Sequence, residues 1–195
     1  MTMTSERLQL KITLANIEPK IWRQVVVKDS LTFRQLHSVI QRAMGWEDYH
    51  LHEFKVGDIR VGTRIKEDMF GFGDSDMVSE STAQLHQLLI GKRKFRYWYD
   101  FGDDWWHDIA IEKHLPDAAD APPAELLAGE NACPPEDCGG PWGYVDMLEA
   151  LKDPDHPEHD SYSEWAGLFD PKEFDLEAAR SDVQKAVRTR RAKVK

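Results

Sequence analysis

The sequence predicts an α+β protein: a mixed, mainly antiparallel sheet covered by helices, with a β-grasp-like first half and a helical C-terminal part. Three observations lead there. LQLKITLANI, residues 8–17, alternates strictly, placing Leu8, Leu10, Ile12 and Leu14 on one face of a half-buried strand. SLTFRQLHSVIQRAMGW, residues 30–46, switches to helical spacing. Strand and helix patterns then come in blocks, where a parallel α/β chain would alternate them.

The elements follow in order. After the first strand Pro19 marks a turn, and KIWRQVVVKDS at 20–30, rich in β-branched residues, is a second strand completing a hairpin. A long antiparallel pair needs apolar cover on its inner face. The helix that follows supplies it. Thr32 caps its start, Gln35 closes a capping box, and Phe33, Leu36, Ile40, Ala43 and Met44 form the apolar stripe, with Gly45 as the stop. YHLHEFKVGDIRV at 49–61 returns to strand patterning with a turn at Gly57-Asp58, and a glycine-rich loop follows from Gly62. STAQLHQLL at 81–89 is a short helix capped by Ser81 or Thr82.

FRYWYDFGDDWWHDIAIEKH at 95–114 is a hairpin about Gly102-Asp103-Asp104. Phe95, Tyr97, Tyr99 and Phe101 face one way, with Arg96, Trp98 and Asp100 opposite; on the return strand Trp105, His107, Ile109 and Ile111 share a face. From residue 116 to 143 the chain, rich in Pro, Ala and acid, reads as a long surface excursion. YVDMLEALKD at 144–153 is a short helix, and a last helix starts near Asp175 and runs into a basic tail at 183–195. No internal repeat or domain boundary is visible, so a single domain over 1–195 is expected.

Composition narrows the function classes. With 195 residues, 41% hydrophobic and 31% charged, the chain is long enough and balanced enough for a sizeable core. No apolar run approaches the roughly 20 residues of a spanning helix, and the first ten residues lack a signal-peptide pattern. Two cysteines make no disulfide framework, which points to the reducing cytoplasm. The net charge of −10 opposes binding to a phosphate backbone over the whole surface. From Val183 onward, however, there are six Lys or Arg and no acid, so nucleic acid is expected only through that tail, if at all.

Candidate chemistry centres on histidines and carboxylates. His50 and His52, two apart on an extended segment, leave the same face, a spacing at which imidazoles share a metal. His107, with Asp100 and Asp103 near it in sequence, can add ligands, and such a set suits a divalent ion that generates hydroxide from water. The competing reading makes His107 a core residue beside Ile109 and Ile111, and the aspartates ordinary turn formers. Cys133 and Cys138 are five apart with no second pair, unlike zinc spacing. A GxSxG elbow, a phosphate loop and a dinucleotide fingerprint are all missing.

IWRQVVVKDSLTFRQLHSVIQRAMGWEDYHLHEF, YDFGDDWWHDIAIEK, CPPEDCGGPWGY and FDPKEFDL, taken in this order, resemble the successive signatures of the plasmid pRiA4b ORF-3-like family. The resemblance runs from about Leu8 to Leu176. It implies a compact α+β bacterial domain found on chromosomes, plasmids and insertion elements, with a transposon-passenger or resolvase-like label on some relatives. It brings no established activity, so it assigns no catalytic residue. The matched positions direct attention to a candidate pocket of His50, His52, Asp100, Asp103, Trp105, His107, Asp137 and Tyr144. Trp105-Trp106 and Cys138 depart from the usual pattern, which weakens any role for the cysteine pair. The residues lend nothing to a recombinase, which needs a nucleophile among arginines.

The first expectation is therefore a non-catalytic binding or interaction module with a protein partner, using the aromatic hairpin and the Pro-Gly loop as its surface. The alternative is a metal-dependent hydrolase or nuclease with His50, His52, His107 and Asp103 as ligands.

Overall fold

A computed structural model describes residues 6–63, 76–118 and 120–187. Its thirteen elements are β1 (Glu6–Leu14), β2 (Trp22–Lys28), α1 (Phe33–Met44), β3 (His52–Val56), β4 (Ile59–Gly62), β5 (Val78–Ser79), α2 (Leu85–Leu88), β6 (Lys94–Tyr99), β7 (Trp105–Pro116), β8 (Ala124–Glu130), α3 (Gly140–Lys152), α4 (His159–Ala166) and α5 (Leu176–Ala186). The eight strands form one sheet in the order β5-β4-β3-β6-β7-β1-β2-β8. Every pairing is antiparallel except the short β4–β5 contact, so the fold is α+β with a mostly antiparallel sheet.

The sheet is two-sided because its strands alternate. Leu8, Leu10, Ile12 and Leu14 of β1 join Val25 and Val27 of β2, Phe54 of β3, Phe95, Tyr97 and Tyr99 of β6 and Trp105 and Ile109 of β7 in one core. Helix α1 closes over it: Phe33 meets Phe54 edge-on at 5.1 Å and Phe95 at 6.4 Å. The helix is bounded as its sequence predicts. Thr32 and Gln35 form both halves of a capping box, and Gly45, at φ 99°, ends it. Arg23, fully buried, gives hydrogen bonds to the carbonyls of Ala43, Trp22, Glu130 and Asn131 and lies 3.7 Å from the Phe174 ring. It thereby ties the α1 C-terminus to β2 and β8.

Several expectations need correction. Residues 116–143 are no mere excursion: β8 lies within them, adding an edge strand to β2 through Val25↔Leu126 and Trp22↔Glu130. Its small and acidic residues suit an edge position but hide the apolar alternation. The short helix α2 starts later than expected, with Gln84 as its cap residue and Ser81 and Thr82 outside it. Phe101 does not join the inward row of β6. Strand geometry ends at Tyr99, Asp100 turns left-handed at φ 52°, and Phe101 is left exposed. Residues 188–195 of the basic tail, and 64–75 of the glycine-rich loop, lie outside the described residues.

Candidate functional site

At one end of the sheet three segments meet: residues 47–51 after α1, the β6–β7 turn at 100–104, and the 133–143 segment leading into α3. The turn is built by aspartates. Asp100 and Asp104 take φ 52° and 60°, a region Asp enters more readily than most residues. Asp100 Oδ1 accepts from the Gly102 and Asp103 amides at 3.0 and 3.3 Å. Asp103 Oδ2 in turn accepts from the Gly139 amide at 3.1 Å. The two segments touch so closely that a Cβ on Gly140 would fall 2.2 Å from the Asp103 carbonyl oxygen. Trp46 anchors the other side, donating from Nε1 to the Pro134 carbonyl at 2.9 Å.

This junction surrounds His50 with carboxylates. Its Nε2 lies 3.6 Å from Asp100 Oδ2, 3.6 Å from Glu136 Oε2 and 3.3 Å from Asp137 Oδ1. That nitrogen has almost no exposed surface and makes no hydrogen bond among the described residues. Glu136 is held from behind by the Glu47 amide at 2.9 Å and the Tyr99 hydroxyl at 3.1 Å. Burial, and then the Glu136 carboxylate, push the Tyr99 hydroxyl well above its ordinary pKa, so it stays a donor. Asp137 is itself left-handed at φ 59°. Strained backbone at Asp100 and Asp137, on two facing segments, is the kind found at binding sites.

A second group lies inside the molecule. His37 and His52 stack with ring centroids 3.5 Å apart and planes 5° from parallel. His37 shares hydrogen bonds with Tyr97 Oη and Asp48 Oδ1, each 2.7 Å. His52 Nε2 meets Glu80 Oε2 at 2.6 Å. Burial, and then the charge of His52, lower the His37 pKa to about 4. Burial alone would raise Glu80, but hydrogen bonds from His52, Thr63 and Arg34 hold it down to about 2. Both ring nitrogens of His37 and Nε2 of His52 have protein partners, which makes this group a structural network.

The candidates named from sequence thus separate. His50, Asp100 and Asp137 come together, and Asp103 borders them through Gly139. His52 belongs to the buried network instead. Its separation from His50 has a simple cause: β3 begins at His52, so the two-residue alternation does not extend back to His50. His107 is fully buried between Tyr97 and Trp46, at 5.2 and 5.3 Å. Neither of its ring nitrogens has a well-formed hydrogen bond, and burial lowers its pKa to about 3, offset only in part by the Tyr97 and Trp105 backbone. Trp105 and Tyr144 are core residues, packed near Trp46 and Phe169 respectively. Burial pushes both cysteine thiols up, Cys138 to about 12, which leaves them protonated at neutral pH. Among the described residues, the His, Cys, Asp and Glu groups compact enough to share one ion are His50–Asp100–Asp137 and His37–Asp48–His52. Neither includes His107 or Asp103. Glu136, Glu80, His37 and Asp48 were not anticipated; nothing local in the sequence distinguishes them.

The convergence joins stretches far apart in the chain, and the same stretches carry a family pattern. The family described as "Plasmid pRiA4b ORF-3-like protein" matches residues 6–178. The chain belongs to that family. It is 41% identical over 187 residues to "Uncharacterized protein y4hQ" of Sinorhizobium fredii, covering 95% of this chain and 92% of that protein. It is also similar to the "Protein of Unknown Function MM3350 from Methanosarcina mazei Go1", a crystal structure, with a TM-score of 0.79 and 37% identity over 90% of this chain and 98% of that one. This pRiA4b ORF-3-like chain has no helix, among the described residues, that is long and apolar enough to cross a membrane.

Proposed function

We propose that this chain is a non-catalytic binding module, and that the junction around His50 is where it takes a cationic segment of a protein partner. One observation carries the reading: large apolar side chains stand exposed around a cluster of carboxylates. Trp142 is 84% exposed and Tyr49 70%, while Leu51 and Phe101 flank His50 and Asp100 in the chain. Exposed aromatic and aliphatic groups beside unneutralised acids match a surface that desolvates on binding a Lys- or Arg-bearing segment. An open groove of about 630 Å³ leads away from the cluster, sharing Glu47, Tyr49 and Glu136 and continuing past Glu173 and Asp175. We read the chain as one domain working in the cytoplasm; the family's description supports carriage on mobile elements.

Capture from a native lysate, with wild type and a Trp142→Ala/Asp137→Asn variant as parallel baits, tests this. A stoichiometric partner held by wild type and lost by the variant is the expected result. A partner held equally by both would overturn it.

A second reading rests on the unpartnered His50 Nε2. Ligand atoms around a tetrahedral ion at 2.0–2.1 Å lie roughly 3.3 Å apart. The nitrogen's separations from the three carboxylates, 3.3–3.6 Å, nearly match this. A divalent ion held by His50, Asp100 and Asp137 would give the hydrolase alternative a different ligand set from His50, His52, His107 and Asp103. Elemental analysis of gently purified protein, with zinc and manganese titrations of wild type and His50→Ala, separates the readings. Binding of one ion lost in His50→Ala supports a metal centre; no binding leaves the cluster free for a cationic side chain.

A further inference from the structure

The side of the sheet away from α1 carries a charge pattern that the fold does not require. Across β4, β3 and β6 the residues Arg60, Lys55 and Arg96 stand directly opposite one another, three cations in one row. The next row along β6 places Lys94 opposite Ala110, which is opposite Lys11. Like charges directly opposed on neighbouring strands cost stability. Arg60 and Arg96 are relieved by Glu53 at 2.7 Å and Asp108 at 3.0 Å. Lys11, Lys55 and Lys94 have no ion-pair partner among the described residues. Against Glu53, Asp108 and Glu112 on the same face, these five cations leave a small local positive excess in a chain of net charge −10.

The cations surround a groove of about 590 Å³ floored by Thr13 and Ala110. At its end Trp98 and Trp106 stack on each other at 4.9 Å and 8°, with Phe101 against Trp98 at 4.2 Å. Lys55 and Arg96 lie over the Trp106 ring at 4.9 and 4.2 Å. At the other side Lys11 lies 4.6 Å over Trp22. The indole Nε1 of Trp98 is buried without a hydrogen-bond partner.

We infer that this open sheet face binds single-stranded nucleic acid, with Lys11, Lys55, Lys94 and Arg96 receiving phosphates and the exposed Phe101 ring, which caps the Trp98–Trp106 stack, offering its face to bases. An acidic peptide would satisfy the lysines but leave that aromatic cap unused. A duplex keeps its bases away from a flat sheet, whereas a single strand presents charge and π-faces together. This surface meets the junction around His50 at Phe101, but no residue substituted in one test is substituted in the other.

The test titrates full-length protein with a fluorescein-labelled 12-nucleotide single strand at 50 and 200 mM salt, reading anisotropy and intrinsic tryptophan fluorescence. The expected result is binding with tryptophan quenching, and an affinity that falls with salt at a slope of about 0.7 for each phosphate contact. A Lys11→Gln/Lys55→Gln/Lys94→Gln variant, checked for folding by circular dichroism, should bind roughly tenfold more weakly or worse. Absence of binding at 50 mM salt would overturn the inference. Unchanged affinity in the triple variant would also overturn it, placing the contact in the basic tail. Equal affinity for poly-glutamate or a duplex of the same sequence would replace it with a general polyanion surface.

Discussion

His37 and His52, one from the crossing helix and one from the strand beneath it, lie ring on ring at 3.5 Å. The arrangement tolerates little added charge. His37 Nε2 gives its proton to Asp48 and Nδ1 accepts from the Tyr97 hydroxyl, which itself accepts from Gln41 Nε2 at 3.0 Å. That pattern uses both nitrogens of a neutral imidazole, and a second proton would break the Tyr97 bond.

The pH dependence follows. Native His37 and His107 are lowered from 6.5 to about 4 and about 3, so between pH 6.5 and 4 the unfolded chain binds more protons than the native one. Stability is therefore lost as pH falls through that window, with a slope approaching about 1.4 kcal/mol per pH unit for each histidine. Glu80, held at about 2 against an ordinary 4.5, adds a further loss below pH 4.5. Urea midpoints should stay nearly level from pH 8 to about pH 6.5 and fall from there to pH 4; a flat profile throughout would contradict the buried neutral state.

Glu80→Gln removes the charge that Thr63, Arg34 and His52 share at 2.8, 3.0 and 2.6 Å. Because the carboxylate is almost fully buried, the change should cost about 2 kcal/mol or more. Chemical denaturation at pH 7 reads it directly.

His107→Leu should be neutral or stabilising, since neither ring nitrogen has a well-formed bond to lose and the ring is packed between Tyr97 and Trp46. The slope of stability below pH 6.5 should also become shallower. A loss of several kcal/mol would show that the ring holds a partner.

Gly140 combines φ 70° with a backbone oxygen where a side chain would begin. Gly140→Ala should therefore part the 133–143 segment from the Asp103 turn, at a cost of roughly 2 kcal/mol, and weaken anything bound at His50. An unaffected melting temperature would mean that the two segments are not clamped there.

How much was legible depended on whether the signal was local. The α1 helix was readable because Thr32, Gln35 and Gly45 specify both ends within a few residues. The β6–β7 hairpin was readable because Phe95, Tyr97 and Tyr99 fall two residues apart on one face, ahead of a Gly-Asp turn. Phe101 was misplaced because Asp100 abandons strand geometry one residue earlier. β8 was hidden because an edge strand needs little apolar surface, and its partner β2 lies about a hundred residues away. In the site, His50, Asp100 and Asp137 were nominated through motifs that meet in space. Glu136 and the His37–His52 stack depend on tertiary approach, which spacing alone does not encode.

The most direct measurement is the affinity of wild type, Trp142→Ala and Asp137→Asn for the purified captured partner, by calorimetry. Both single variants are expected to bind at least about tenfold more weakly, while Lys11→Gln/Lys55→Gln/Lys94→Gln binds as wild type does. Equal affinity across all four proteins would contradict the placing of the recognition surface around His50.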